Sequence, residues 1–159
     1  MSKTMRIQSV VGSLGRTIIA RLLPGTDMLE GIEETCRQHG VKNGVILCAI
    51  GSLSQATFTY PISDASAKVG IVYCDPIVVP GPVEFYGGQG IICQSEQDEY
   101  LIHFHASASD ESAKVFGGHF LVGNTILATL DLIISEVQDV KMLRLFDEET
   151  GFVQFSPER

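Results

Sequence analysis

Residues 26–40 read TDMLEGIEETCRQHG, and this stretch decides the fold class. Leu29, Ile32 and Cys36 fall on one helical face, while Glu33 and Glu34 lie off it. Asp27 and Glu30 match a capping box, with Thr26 as a competing N-cap. Gly40 stands where a left-handed glycine ends a helix. This is the strongest helical signal in the chain. His39 falls in its last turn, where a partial positive charge suits the helix dipole, and no chemistry is assigned to it.

Outward from that helix the chain reads as strands. Residues 16–25, RTIIARLLPG, predict an early strand ended by Pro24-Gly25. Residues 45–50 are a continuous apolar run, Gly51-Ser52 predicts a break, and residues 56–60 alternate like a second strand. Further strand pieces follow, with interruptions predicted at Pro76, Pro80, Gly81 and Pro82. EQDEY, residues 96–100, predicts a hairpin turn into YLIHFHASAS, residues 100–109. ILATLDLIISEV, residues 126–137, is another long strand-like run. Two terminal strands follow at 142–146 and 151–155, with DEET turning between them. The expectation is a single α+β domain over residues 16–159, behind an N-terminal segment 1–15. Its mostly antiparallel sheet is flanked by one main helix and shorter helices.

Composition narrows the function classes. Of 159 residues, 45% are hydrophobic and 19% charged, which suits a folded domain rather than disorder. The formal net charge is −8. Between Asn43 and Val140 the only basic residues are Lys68 and Lys114, against eleven acids. Nucleic-acid binding rests on Lys and Arg neutralising phosphates, so this balance disfavours DNA as a partner. Cys36, Cys48, Cys74 and Cys93 form no C-x-x-C pair and read as small apolar side chains in a reducing compartment. There is no signal-peptide core and no membrane-length apolar run, so a cytoplasmic protein without membrane contact is expected.

Three of the four histidines lie between residues 100 and 120. Side chains two apart on a strand share a face, so His103 and His105 point together, with Ile102 and Phe104 opposite. His119 follows Gly117-Gly118, a pair that permits a sharp turn back beside the histidine strand. Three imidazoles leave a fourth position open on a tetrahedral zinc ion, for water or a ligand. Glu84, in GPVEFYGG, is the candidate general base or further ligand, and Asp110 is another candidate. The alternative is that the histidines hydrogen-bond to backbone or carboxylates at strand ends. No dinucleotide fingerprint, P-loop or serine-nucleophile elbow is present.

RLLPGTDMLEGIEETCRQHGV from Arg21, AIGSLSQATF from Ala49, GPVEFYGGQG from Gly81, LIHFHASASD from Leu101, VFGGHFLVGN from Val115 and the following ILATLDLIIS occur in one order. In that order they resemble the plants-and-prokaryotes-conserved (PPC) domain, over about residues 16–140. The resemblance implies an antiparallel sheet flanked by helices and a homotrimer. It also implies zinc, or another divalent transition metal, at His103, His105 and His119, as in stand-alone prokaryotic members. Plant members add an AT-hook, and this chain has no R-G-R-P.

The strand runs are more apolar than one helix can cover, which independently favours burial between subunits. The competing expectation is an extra helix in ASASDESAKVFG, residues 106–117, covering that face. Three functions follow. The first is a trimeric metal protein that binds or transforms a small molecule. The second is a DNA-associated regulator, with a basic surface built from Arg6, Arg16, Arg21, Arg37, Lys42, Lys141 and Arg144. The third is an interaction module without catalysis.

Overall fold

Asp27 starts the only helix among the described residues of this computed structural model, which describes residues 5–159. The helix, α1, spans Met28–His39 and buries Met28, Leu29, Ile32 and Cys36. Asp27 Oδ1 accepts hydrogen bonds from the Leu29 and Glu30 amides, at 3.0 and 3.2 Å, so Asp27 prevails over Thr26 as N-cap. Asp27 Oδ2 accepts from the Gly123 and Asn124 amides, at 2.7 and 2.8 Å, and so ties the helix start to a distant loop. Gly40 adopts the left-handed conformation at φ 66°, which ends the helix as expected.

Ten strands make up the rest. They are β1 (Ser13–Leu22), β2 (Gly44–Thr59), β3 (Pro61–Ser63), β4 (Ile71–Tyr73), β5 (Ile77–Gln94), β6 (Tyr100–Ser109), β7 (Val115–Phe120), β8 (Ile126–Gln138), β9 (Lys141–Asp147) and β10 (Phe152–Glu158). Eight form one sheet in the order β1-β8-β2-β7-β6-β5-β9-β10, and β3 with β4 form a small second sheet. Every pairing is antiparallel except a parallel contact of β5 with β9 at Gln94 and Leu143.

β2 pairs with β5 as well as with β7 and β8. The path β2-β7-β6-β5 therefore returns to β2 and encloses an aromatic core. Phe58, Phe85, Phe104 and Phe120 are all buried there, in ring contacts of 5.6–6.5 Å between centroids. α1 packs its apolar face into the same continuous core.

Four expectations about local structure are corrected. No shorter helices flank the sheet among the described residues. Residues 106–117 instead complete β6, turn at Asp110 and begin β7, so they do not cover an open sheet face. β2 runs unbroken through Gly51-Ser52: a Cβ on Gly51 would lie 2.0 Å from the Thr129 carbonyl oxygen, so this glycine serves close strand approach. β5 likewise runs through Pro80, Gly81 and Pro82. The register there shifts between Leu53 and Gln55, and a bulge is where a strand tolerates proline.

The cysteines are free, with Cys36 and Cys93 buried and Cys48 and Cys74 partly buried. Burial pushes the Cys36 and Cys93 thiols up to about 12, so both are inert at neutral pH. No helix among the described residues is long and apolar enough to cross a membrane.

Candidate metal centre

Strand alternation brings His103 and His105 onto the same side of β6, while Phe104 between them is fully buried on the other. Their Nε2 atoms stand 3.0 Å apart. His119 arrives on β7, directly opposite His105 in the register of β6 and β7. Its Nδ1 lies 3.3 Å from His105 Nε2. One nitrogen from each ring falls within 4.8 Å of the other two, all from one chain.

The double glycine works differently from the expectation. Gly117 and Gly118 make no turn but lie inside β7. A Cβ on Gly117 would sit 2.4 Å from the Ala106 carbonyl oxygen, and one on Gly118 2.4 Å from that of Thr59. Their lack of a side chain lets β7 lie tightly between β6 and β2, and this fixes His119.

The donor set fits a metal. Bonds of about 2.0–2.1 Å at tetrahedral angles hold ligand atoms roughly 3.3 Å apart. Two of the three separations, 3.0 and 3.3 Å, match that spacing, and the third is within 4.8 Å. Hydrogen bonding alone serves the cluster poorly, because His105 Nε2 has either one proton or one lone pair to share between two ring nitrogens. A cation satisfies all three. Burial, with the Arg144 charge and the neighbouring imidazoles, pushes His103 down to about 4. Burial, then His105 and Arg144, does the same for His119. Both are neutral at pH 7, which is the form that donates a lone pair to a metal.

Two clefts flank the rings. One, of about 560 Å³, is lined by His103 and His105 with Val45, Leu47, Gln89 and Ile91. The other, of about 390 Å³, is lined by His119 and Arg144 with Leu101, Val122 and Val153, and by Glu30 and Glu33 of α1. Tyr73 meets the His119 ring edge-on at 6.0 Å between centroids.

Glu84 and Asp110 lie outside the cluster. Glu84 pairs with Ser109, four residues along β6 from His105, which is roughly 13 Å at the usual strand rise. Asp110 Oδ1 accepts from the amides of Ser112 and Lys114 and from the Ser112 hydroxyl, so it builds the β6–β7 turn. Those bonds hold its carboxyl below the usual range. His39 stays exposed at the end of α1. Sequence reasoning did not reach Arg144 or Tyr73 as neighbours of the histidines, since no spacing rule links β9 or β4 to β6.

The sequence profile of the Plants and Prokaryotes Conserved (PCC) domain matches residues 9–138. The chain belongs to this family. As a PCC domain it is 28% identical over 148 residues to the bifunctional protein GlmU of a Synechococcus strain, covering 93% of this chain. The chain spans about a fifth, 21%, of that relative's length. Among solved structures it is similar to a metal-containing protein from Archaeoglobus fulgidus, at TM-score 0.79 and 22% identity, covering 94% of this chain and 99% of that one. It is also similar to a Bacteroides thetaiotaomicron protein provisionally called DNA-binding, at TM-score 0.71 and 17% identity, covering 91% and 96%. At such identities the likeness to solved structures is one of fold.

Proposed function

We propose that this PCC-family protein holds a divalent transition metal, best matched by zinc, through His103, His105 and His119, and presents it to a small molecule. The observation that carries the reading is the convergence of three ring nitrogens from two strands within 4.8 Å. An all-imidazole set suits zinc and its neighbours in the transition series. The Archaeoglobus protein of like fold, described as metal-containing, supports it. Three protein ligands leave a position at which a bound metal acidifies water or polarises a carbonyl. The residues of this chain hold and orient the ion. Glu84 is too far along the sheet to act as base within the same chain.

The proposed assembly is a homotrimer. On the sheet face away from α1, Ile19 is 80%, Leu47 55% and Ile50 46% exposed in the single chain, a row of large apolar side chains that a partner subunit would bury. Leu47 also lines the cleft beside His103 and His105, so a subunit docked there borders the metal site. Light scattering at micromolar concentration tests this, and a monomer removes it.

The test of the metal reading is elemental analysis of protein purified without chelator or nickel column. About one metal per chain is expected, with His105→Ala folded and metal-free. A zero count that persists after zinc addition defeats the reading.

Relatives called DNA-binding raise duplex DNA as a second reading. Charge opposes it. Of the seven cations that would form the basic surface, four already face carboxylates, in the pairs Arg6–Glu149, Arg16–Glu136, Arg37–Glu33 and Lys42–Asp98. A salt-dependent mobility shift at low ionic strength would support it, and no shift at high protein concentration rejects it.

A further inference from the structure

Arg144 is a cation without a carboxylate. It stands half-buried on β9, and no salt bridge to it is found among the described residues. Its one hydrogen bond among the described residues runs from Nη2 to the Val153 carbonyl oxygen, at 2.8 Å. Nε and Nη1 donate to no acceptor among the described residues. Long cationic side chains normally carry their heads to water, and a half-buried guanidinium with two donors to spare gains from an anion that reaches it.

Its surroundings say what that partner is. Arg144 and His119 line one cleft of about 390 Å³, whose other walls include Leu101, Val122 and Val153. Arg144 acts electrostatically on both His103 and His119, so it lies close to the metal-ligand group. Tyr73 flanks the same place, touching His119 edge-on, and its hydroxyl makes no hydrogen bond among the described residues. Burial holds the nearby Cys93 thiol up at about 12, so it supplies Arg144 with no anion at neutral pH.

We propose that Arg144 holds the carboxylate of the small molecule that reaches the histidine site, with the Tyr73 hydroxyl as a second donor. This rests on the metal reading, because the cleft joins the guanidinium to His119. A planar guanidinium fork matches a carboxylate in two parallel hydrogen bonds. The acidic groups on the cleft's helix side favour one negative charge over two. Glu33 is paired with Arg37, but Glu30 makes no salt bridge among the described residues, and a dianionic phosphate would face it with only one cation to compensate.

The test uses cobalt-loaded protein and butyrate, a monocarboxylate, as probe, followed by calorimetry and by the visible cobalt absorption. Wild type is expected to bind butyrate. Arg144→Gln should keep full cobalt and bind butyrate about tenfold or more weakly, the usual scale for a charge-assisted pair. Arg144→Lys, which keeps the charge and guards against a misfolded Gln variant, should recover part of the affinity. No butyrate binding to the wild type, or equal butyrate affinity in all three proteins, at full cobalt overturns the carboxylate site and leaves the metal reading standing. Methyl phosphate binding more tightly than butyrate overturns the assignment to a carboxylate. A wild type that takes up no cobalt defeats the metal reading and this proposal with it.

Discussion

His119 stands directly across from His105 in the pairing of β6 with β7, its Nδ1 3.3 Å from the other's Nε2. One cross-strand pair thereby links two segments fourteen residues apart in sequence into one donor set. Neither strand alone carries all three histidines.

Removing either side of that pair should disable metal retention. His119→Ala and His105→Ala are each expected to lower zinc affinity at least about a hundredfold, since losing a ligand exceeds the ~10–100-fold cost of losing an outer partner. Competition against a chromophoric chelator measures this. Affinity within a few-fold of wild type would count against the three-histidine set.

Gly118→Ala should act on the site without touching a ligand. The added methyl would sit 2.4 Å from the Thr59 carbonyl oxygen, so β7 must move away from β2. A loss of about 1–3 kcal/mol, the usual cost of overpacking, is expected together with weaker metal binding. Urea unfolding and the chelator assay on one preparation check both. Stability falling with metal affinity intact would show that β7 shifts without displacing His119.

Acid should destabilise the metal-free protein in a defined window. His103 and His119 are lowered from an ordinary 6.5 to about 4 in the folded chain. Between those values the unfolded chain binds more protons, so stability is lost as pH falls from 6.5 toward 4. Thermal melts across that range should show the decline, and a His103→Gln, His119→Gln double variant should flatten it. An unchanged slope in the double variant would assign the acid sensitivity elsewhere.

Asp27 joins two parts of the fold through one carboxylate. Asp27→Ala removes acceptors for the Leu29, Glu30, Gly123 and Asn124 amides together. A destabilisation of about 2–4 kcal/mol is expected, above an ordinary cap because the second oxygen is lost as well. Asp27→Asn, which keeps an acceptor oxygen, should cost less. Chemical denaturation of the three proteins gives the comparison.

The parts of this molecule legible in the sequence are those set by neighbours along the chain. Asp27 and Gly40 bracket α1 because caps are local chemistry. His103 and His105 share a side because strand geometry alternates. The strand breaks predicted at Gly51 and at Pro80–Pro82 fail for a different reason. There the residue type answers to a neighbouring strand: the Thr129 carbonyl at Gly51, a bulge opposite Ser54 at the prolines. Gly117 and Gly118 read as a turn for the same reason, although their smallness serves packing across the sheet. Arg144 reads as one of several scattered cations, and only the β5–β9 contact carries it toward the histidines.

β6 is hydrogen-bonded to β5 along one edge and to β7 along the other. His105 thus hangs from a segment paired along both edges, His103 from one paired with β5, and His119 from the neighbouring strand β7. On the proposed metal reading no loop would have to order itself when an ion arrives, so the entropic cost of assembling a chelate would have been met when the chain folded. Loading and stripping should then proceed as exchange at a rigid surface, with the same chain ready to accept a different ion afterwards.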